Sequence, residues 1–316
     1  MKHFFITIVA LGILIQTEWK KVSIQDEITI HKMTYHQNNI WGVSYGNGAI
    51  LKSEDGGNSW NKVASLNAKF FEKIQFIDEN NGFVCGDYGY VYKTNDGGKN
   101  WVEISPKINN RITKHFSEDL EKPDGEFISF YDMYFDDAKN GYVIGFSYNP
   151  AEGRQNSTFQ LYYTTKDGGK NWEESDRSEI KILQKEFFAK VNRTNVNLGG
   201  VYYSTPNLLY QVRSQRGRKI VLSSNNGGVN WKQLVLNNQK LGSWIFRSIL
   251  FTNEKEGFIF GGLTSGENPK AVIFTTKDGG ESWNLHENNW PAVHHAILKD
   301  NNLIVSTKEG EVRILD

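Results

Sequence analysis

The stretch Ser53-Glu54-Asp55-Gly56-Gly57-Asn58-Ser59-Trp60 decides how this chain folds, because its pattern returns four more times. Each copy has a serine or threonine, an acidic residue or asparagine two positions on, a glycine pair, and then a tryptophan. The third residue of the copies is Asp55, Asp96, Asp167, Asn226 and Asp278, and the last is Trp60, Trp101, Trp172, Trp231 and Trp283. Chance does not place tryptophan in one frame five times, so the chain is built from repeats.

The chemistry of this motif is that of a turn. Asp-Gly and Asn-Gly between apolar runs are strong hairpin signals, and glycine accepts the positive φ that such turns need. The carboxylate can accept backbone N–H groups, and the tryptophan can cover the apolar side of the hairpin. Catalytic or calcium-binding aspartates are the alternative, but five near-identical sites favour a repeated structural device.

Each motif closes a longer unit of four predicted strands. In the second unit these are Ile74–Phe76, Phe83–Gly86, Tyr90–Thr94 and Trp101–Ile104, separated by glycine turns. Similar units lead to Trp172 and Trp283. Short antiparallel sheets repeated along a chain are typical of an all-β propeller, with one sheet as each blade.

A sixth unit lies at the end of the chain without a turn motif. Ala296–Val305 parallels Met33–Gly42, and the chain ends after a third strand at Val312–Leu315. Glu18–Val22 resembles Ser59–Val63, which follows the first turn motif. We therefore predict one domain, residues 18–316, folded as a six-bladed propeller whose last blade is completed by the N-terminal strand.

Residues 1–17 read as a signal peptide. Lys2 precedes an uncharged run, Phe4–Ile15, which is short for a membrane span but suits a signal core. The cleavage position is open, and an uncleaved anchor or a buried N-terminal strand are the alternatives. We expect an exported protein, periplasmic or extracellular.

Composition excludes several classes of protein. Lys+Arg and Asp+Glu are both 36 in 316 residues, and this balance argues against a generic nucleic-acid binder. Aromatic residues make up 13%, too many for a disordered chain. The single cysteine, Cys85, excludes an intrachain disulfide framework, and we expect it to be an inert buried thiol.

The repeats resemble those of Asp-box, or BNR-repeat, propellers. The fuller pattern, carried by Ile74, Phe76, Asp78, Gly82 and Gly86 ahead of the motif at Asp96, is similar to that of exported propellers resembling photosystem II stability and assembly factors. The resemblance implies a non-catalytic scaffold that binds another protein or a cofactor-bearing precursor. Sialidases share the Asp box, so the fold by itself does not decide activity.

A glycan-active, sialidase-like hydrolase is the alternative function. That resemblance implies three arginines around a carboxylate and an Arg-Ile-Pro tripeptide before the first box. The nearest string here is Arg111-Ile112-Thr113, after the second box, and only Arg247 lies on a predicted inner strand. We therefore expect no catalytic residues.

No cofactor or metal is predicted. His294 and His295 are adjacent, and since strand side chains alternate, only one of them should face the channel. Without a third ligand this does not indicate a metal site.

The predicted binding surface is the face opposite the Asp boxes. The long insertions at Lys107–Glu126, Ser147–Thr158, Arg177–Asn195 and Leu263–Lys270 all fall on that side, and loops on a rigid scaffold often carry function. Aligned inner strands bring one of two residue rings to the channel mouth, of which we favour the first. The second ring is Lys32, Lys73, Asp132, Ser248 and His295. The predicted binding residues are His31, Glu72, Tyr131, Arg247 and His294 from the first ring, with Arg111, Tyr148 and Arg154 from the loops.

These observations predict a monomeric binding or assembly propeller. A mixture of aromatic and charged residues suits a protein or peptide partner, with a glycan as the lesser possibility. No stable membrane span is expected unless the signal stays uncleaved.

Overall fold

The structure, a computed structural model, describes residues 19–24, 28–109, 111–112, 125–152, 158–190, 196–198, 201–203, 208–215, 218–234, 236, 244–263 and 270–315. These residues form six antiparallel sheets in succession, which confirms the six-bladed propeller. In each blade the first strand of the chain order, Lys20–Ser23 apart, lies nearest the axis, and in the five blades that have a box the box turn joins the last two strands.

The strands of the first three blades are Ile30–His36, Asn39–Ser44, Ala49–Ser53 and Asn61–Ser65; Phe71–Phe76, Gly82–Gly86, Val91–Thr94 and Val102–Glu103; and Phe127–Phe135, Gly141–Tyr148, Phe159–Thr165 and Glu173–Glu174. Those of blades four and five are Val196–Leu198, Val201–Tyr203, Leu209–Gln215, Arg218–Ser224 and Lys232–Leu234; and Trp244–Phe251, Gly257–Leu263, Lys270–Thr276 and Asn284–Pro291. Those of blade six are Val293–Lys299, Asn302–Thr307, Glu311–Leu315 and, from the other end of the chain, Lys20–Ser23.

Blade six contains both ends of the described chain. Lys20–Ser23 pairs antiparallel with Glu311–Leu315, in a register that sets Lys20 opposite Ile314. The Trp19 ring lies 5.6 Å from that of Trp290 between centroids, and Lys21 forms an ion pair with Glu311. Val22 is buried. The pairing covers the edge that Glu311–Leu315 would otherwise expose.

The Asp boxes form the predicted turns. In the second box the Thr94 hydroxyl donates to Asp96 Oδ1 at 2.8 Å and accepts the Gly98 N–H at 2.9 Å, while Asn100 N–H donates to Asp96 at 2.9 Å. The same three bonds recur in the other four boxes at 2.8–3.0 Å. The Trp101 indole N–H donates to the Gly98 carbonyl at 3.1 Å. These groups therefore satisfy one another within the turn.

The core lies between adjacent blades and is built from a repeated aromatic stack. Phe135 at the end of one inner strand stacks on Phe83 of the preceding blade with centroids 3.6 Å apart, and the edge of Trp172 meets it at 6.2 Å. Phe76 and Phe251 take the same position against Trp41 and Tyr210, both at 4.1 Å. The tryptophan of each such box thus secures the joint between two blades.

The junction of blades three and four differs from the expected loop insertion. Arg177–Lys190 is an α-helix rather than a loop, and Asp176 caps it by accepting the N–H groups of Ser178 and Glu179. Ile180 is buried on the blade-three side chains Tyr134, Tyr142 and Ile144. Blade four gains a fifth strand, Val196–Leu198, on its axis side. Across the described ranges, the helices lack the length and apolar character needed to cross a bilayer.

Candidate functional site

The two faces of the ring differ in what they carry. All five box turns lead into the outermost strand of their blade and therefore share one rim, the box face. The starts of the inner strands and the turns between second and third strands share the other rim, which we call the loop-rich face. The turn tips at 153–157 and 264–269, and residues 110 and 113–124, lie outside the described residues, and with them Arg154.

The inner strands of five blades carry a β-bulge at one equivalent position. The register shifts fall between Ile30 and Lys32, Phe71 and Lys73, Phe130 and Asp132, Phe246 and Ser248, and Val293 and His295. The residue inside each bulge is a member of the predicted first ring: His31, Glu72, Tyr131, Arg247 or His294. Bulges re-aim side chains next to functional sites, so these residues share one structural cause for their placement.

The bulges depend on glycines in the facing strands. A Cβ added to Gly145 would stand 2.5 Å from the Ser129 carbonyl oxygen, and one on Gly261 would stand 2.1 Å from that of Ile245. The second glycine of the repeat pattern thus allows the inner strand to approach closely where it bulges.

Four first-ring residues come together with Tyr45; we call His31, Tyr45, Glu72, Arg247 and His294 the mouth cluster. His31 Nε2 lies 3.0 Å from Glu72 Oε2, and the His31 ring lies 5.4 Å from His294 and 5.7 Å from Tyr45 between centroids. We include Arg247 in the cluster because its positive charge lowers the pKa of both Glu72 and His294.

Ionisation in the mouth cluster is set by burial and by these charges. Burial opposes ionisation of Glu72, but the hydrogen bond and charge of His31, with Lys32 and Arg247, outweigh it and lower the Glu72 pKa. Burial, reinforced by His31 and Arg247, lowers the pKa of His294 to about 3. At neutral pH Glu72 is therefore an anion and His294 is neutral.

The second ring joins neighbouring blades. Lys73 Nζ pairs with Asp132 at 2.5 Å, and His295 Nδ1 accepts the Met33 N–H at 3.2 Å. Because the bulge interrupts the alternation of side chains, both His294 and His295 contact blade one. His294 does so through its ring and His295 through Nδ1, while the expectation that only one of the two faces the channel stays a prediction.

Tyr131 and Tyr148 belong to a separate group on blade three, the aromatic patch, formed by Phe127, Tyr131, Phe146 and Tyr148. Ring centroids lie 5.1 Å apart for Phe127 and Tyr148 and 6.4 Å apart for Tyr131 and Phe146. Tyr131 is 40% exposed. Phe159 begins the third strand of the same blade on the same rim, pairs with Ser147 on the other side of the sheet, and is 63% exposed. The patch presents apolar surface on the loop-rich face.

Arg111 has a structural setting. Its guanidinium donates to the Gly89 carbonyl and to Glu103, each at 2.9 Å, and lies 5.0 Å from the Tyr90 ring centroid. It lines a cavity of about 260 Å³ together with Lys107. These contacts hold the link after blade two against the blade rather than leaving the guanidinium available to a ligand.

Three residues of this face lie beyond the predicted set. Tyr45 is 51% exposed and stacks on Phe70 with centroids 5.3 Å apart. Asp87 is buried and accepts the N–H groups of Lys69 and Phe70 at 2.9 and 3.3 Å, so it fixes the segment that carries Phe70. Tyr45 and Asp87 lie at turns between second and third strands, and Phe70 directly precedes an inner strand, so none of the three belongs to the two rings of inner-strand residues.

Cys85 is buried, its pKa is raised well above the usual value by burial, and it is free of disulfides. Within the described ranges, no three His, Cys, Asp or Glu side chains are arranged to hold a metal ion.

Comparison with known proteins finds a family model that matches the first part of the chain. A family model described as photosynthesis system II assembly factor YCF48 matches residues 13–93, about a quarter of the chain. Comparison with curated proteins finds no sequence match.

Solved structures match around the whole ring. YCF48 bound to a D1 peptide aligns over 94% of this chain and 94% of its own, with 15% identity and a TM-score of 0.58. YCF48 from Cyanidioschyzon merolae aligns over 94% and 98%, with 14% identity and a TM-score of 0.56. An α-L-arabinofuranosidase from Fusarium graminearum aligns over 95% and 98%, with 14% identity and a TM-score of 0.49. At these identities the likeness concerns the fold. The chain is an Asp-box β-propeller that resembles the photosystem II assembly factor YCF48, in sequence over its first blades and in fold around the ring.

Proposed function

We propose that this chain is an exported, non-catalytic scaffold that binds a protein or peptide segment through its loop-rich face. The observation that carries the proposal is the pairing, on that face, of exposed aromatic rings with the charged mouth cluster. Aromatic anchors beside a few charged groups are typical of protein-binding surfaces. The YCF48 structure with a bound D1 peptide supports a peptide-binding role for a propeller of this kind.

The path of the N-terminus is consistent with this choice of face. Lys20–Ser23 is the outer strand of blade six, and Lys20 Nζ donates to Asn58 in the first box turn. The chain therefore enters the ring from the box face. An apolar segment before Trp19, whether removed as a signal or kept as an anchor, would leave the loop-rich face pointing away from the membrane.

The test is capture of a partner from the cells that make the protein. Phe159→Asp places a charge on the loop-rich face beside the aromatic patch, and Val229→Asp places one at a box-turn tip that is 77% exposed. We expect Phe159→Asp to lose the captured protein and Val229→Asp to retain it. Equal capture by both variants would contradict the assignment of the face.

The hydrolase alternative has its own assay. Incubation with fluorogenic sialosides and other glycosides should give no turnover above the buffer rate. Turnover that disappears in Arg247→Ala would replace this proposal with a glycan-active enzyme.

A further inference from the structure

The mouth cluster adjoins a second cation, Lys32, that is not directly paired. In the described part of the chain, neither Lys32 nor Arg247 makes a side-chain hydrogen bond or an ion pair. The nearby carboxylates are engaged elsewhere, Glu72 with His31 and Asp132 with Lys73. The cations therefore have no dedicated counter-ion within the protein.

The excess of positive charge at the mouth affects the pKa values of the groups that lie there. Burial lowers the pKa of Lys32, Glu72 opposes the shift, and the charges of Arg247 and Lys73 add to it. Arg247 and Lys32 likewise act against a positive charge on His294. An anion placed at the mouth would relieve repulsion that the protein itself leaves in place.

The two histidines add unused hydrogen-bonding capacity. His31 and His294 are only 6% and 8% exposed, yet the Nδ1 atom of each is buried without a partner in the described structure. Buried polar atoms are nearly always satisfied, so two orphans in one cluster indicate that a ligand or an ordered water belongs there.

The proposed partner selects the class of anion. Lys32, Lys73, Arg247 and Lys308 act on this site together with Glu72 and Asp132, so cations outnumber these two carboxylates. A protein or peptide partner carries its anions as carboxylates, on acidic side chains and at its chain end, and a guanidinium binds either in the same way. The exposed Tyr45 ring beside it offers apolar contact to whatever flanks the anion.

We propose that the mouth cluster is a carboxylate-binding site, in which Arg247 and Lys32 receive a carboxylate of the bound partner while an adjoining apolar side chain lies on Tyr45. The proposal rests on the proposed protein-binding function and specifies its chemistry. The carboxylate can come from an acidic side chain or from a free chain end, since both present the same two oxygens to a guanidinium.

Three short peptides test the site on the full chain. Acetyl-Phe-Glu-Phe-amide carries a side-chain carboxylate, acetyl-Phe-Gln-Phe with a free C-terminus carries a terminal one, and acetyl-Phe-Gln-Phe-amide carries none. We expect at least one carboxylate peptide to shift the NMR ring signals of His31 and His294 to saturation, and the neutral peptide to leave them unmoved. Whichever peptide binds identifies the source of the carboxylate.

Two variants complete the experiment. Because Arg247 is exposed, Arg247→Gln should fold normally. We expect its affinity for the carboxylate peptide to fall at least about tenfold, because a charge-assisted contact is lost. Lys99→Gln, in a box turn on the opposite face, should change nothing. The proposal is overturned if neither carboxylate peptide moves the histidine signals, if the neutral peptide moves them equally, or if Arg247→Gln binds like the parent.

The two proposals can fail separately. Partner capture that Phe159→Asp abolishes and Arg247→Gln leaves intact refutes the carboxylate site but not the binding face. Saturable binding of a carboxylate peptide, together with equal partner capture by Phe159→Asp and Val229→Asp, refutes the binding face but not the carboxylate site.

Discussion

Asp87 is a buried carboxyl group on the loop-rich face. Burial raises its pKa to about 7, with Glu72 adding to the shift and the N–H groups of Phe70 and Lys69 opposing it. Because the folded-state pKa is raised, the group favours folding below its ordinary pKa near 4, and that benefit is lost as pH rises through 7.

Asp87→Asn keeps the Oδ1 acceptor and removes the charge. We predict that this variant is more stable than the parent at pH 8 and that the difference shrinks toward pH 4, as measured by urea unfolding. Lower stability than the parent at pH 8 would show that the carboxylate is needed as an anion.

The pKa of Asp278 is shifted in the opposite direction from that of Asp87. Hydrogen bonds from the Ser282 hydroxyl and N–H, with that of Thr276, lower its pKa to about 2 although the group is exposed. A lowered pKa stabilises the fold above the ordinary value, and this contribution is lost as pH falls from about 4 toward 2.

The fourth box, with Asn226 in place of aspartate, keeps the same acceptor geometry. We therefore predict that Asp278→Asn folds normally and loses less stability between pH 5 and pH 2 than the parent, whereas Asp278→Ala loses about 1–2 kcal/mol at neutral pH. Thermal unfolding across that pH range measures both. If Asp278→Asn is as unstable as Asp278→Ala, the side-chain oxygen at this position does not stabilise the turn as a hydrogen-bond acceptor.

At the scale of elements, the first glycine of the repeat pattern is a packing requirement. A Cβ on Gly141 would lie 2.5 Å from the Phe135 ring, the residue stacked on Phe83. We predict that Gly141→Ala costs about 1–3 kcal/mol in urea unfolding, and that adding Phe135→Leu recovers part of the loss because the two changes are coupled. If the losses of stability in the two single variants simply add in the double variant, the clash of the new methyl group with Phe135 is not the cause of the destabilisation.

The elements also show where sequence reasoning succeeds and stops. Box turns and inner strands are local patterns, so the motif at Asp96 and the strand ending at Phe76 could be predicted directly. The helix Arg177–Lys190 could not, because its burial depends on Ile180 meeting blade three rather than on a repeat. Alignment brought His31 and His294 to one ring, but the bulges that set their direction are a property of strand pairing.

At the scale of the whole molecule, closure of the ring depends on a strand distant in sequence. Removing residues 1–23 takes away the outer strand of blade six, with buried Val22 and the Trp19 contact to Trp290. We predict a fall in melting temperature of roughly 10 °C or more, since several kcal/mol are lost and each shifts a domain of this size by about 2 °C. Removing residues 1–17 alone is the control and should leave the melt unchanged. An unchanged melt after the longer deletion would contradict closure by this strand.

We expect the ring to recognise its partner from one side, the loop-rich face. The most direct measurement is photo-cross-linking in the cells that make the protein, with a benzophenone side chain placed at Tyr45 or Phe159 on the loop-rich face, and at Val102 or Val229 on the box face. All four side chains are at least half exposed, so each position can carry the probe. We predict a shared protein adduct from positions 45 and 159 and none from 102 and 229. Adducts from the box-face positions alone, or equally from both faces, would contradict recognition through the loop-rich face.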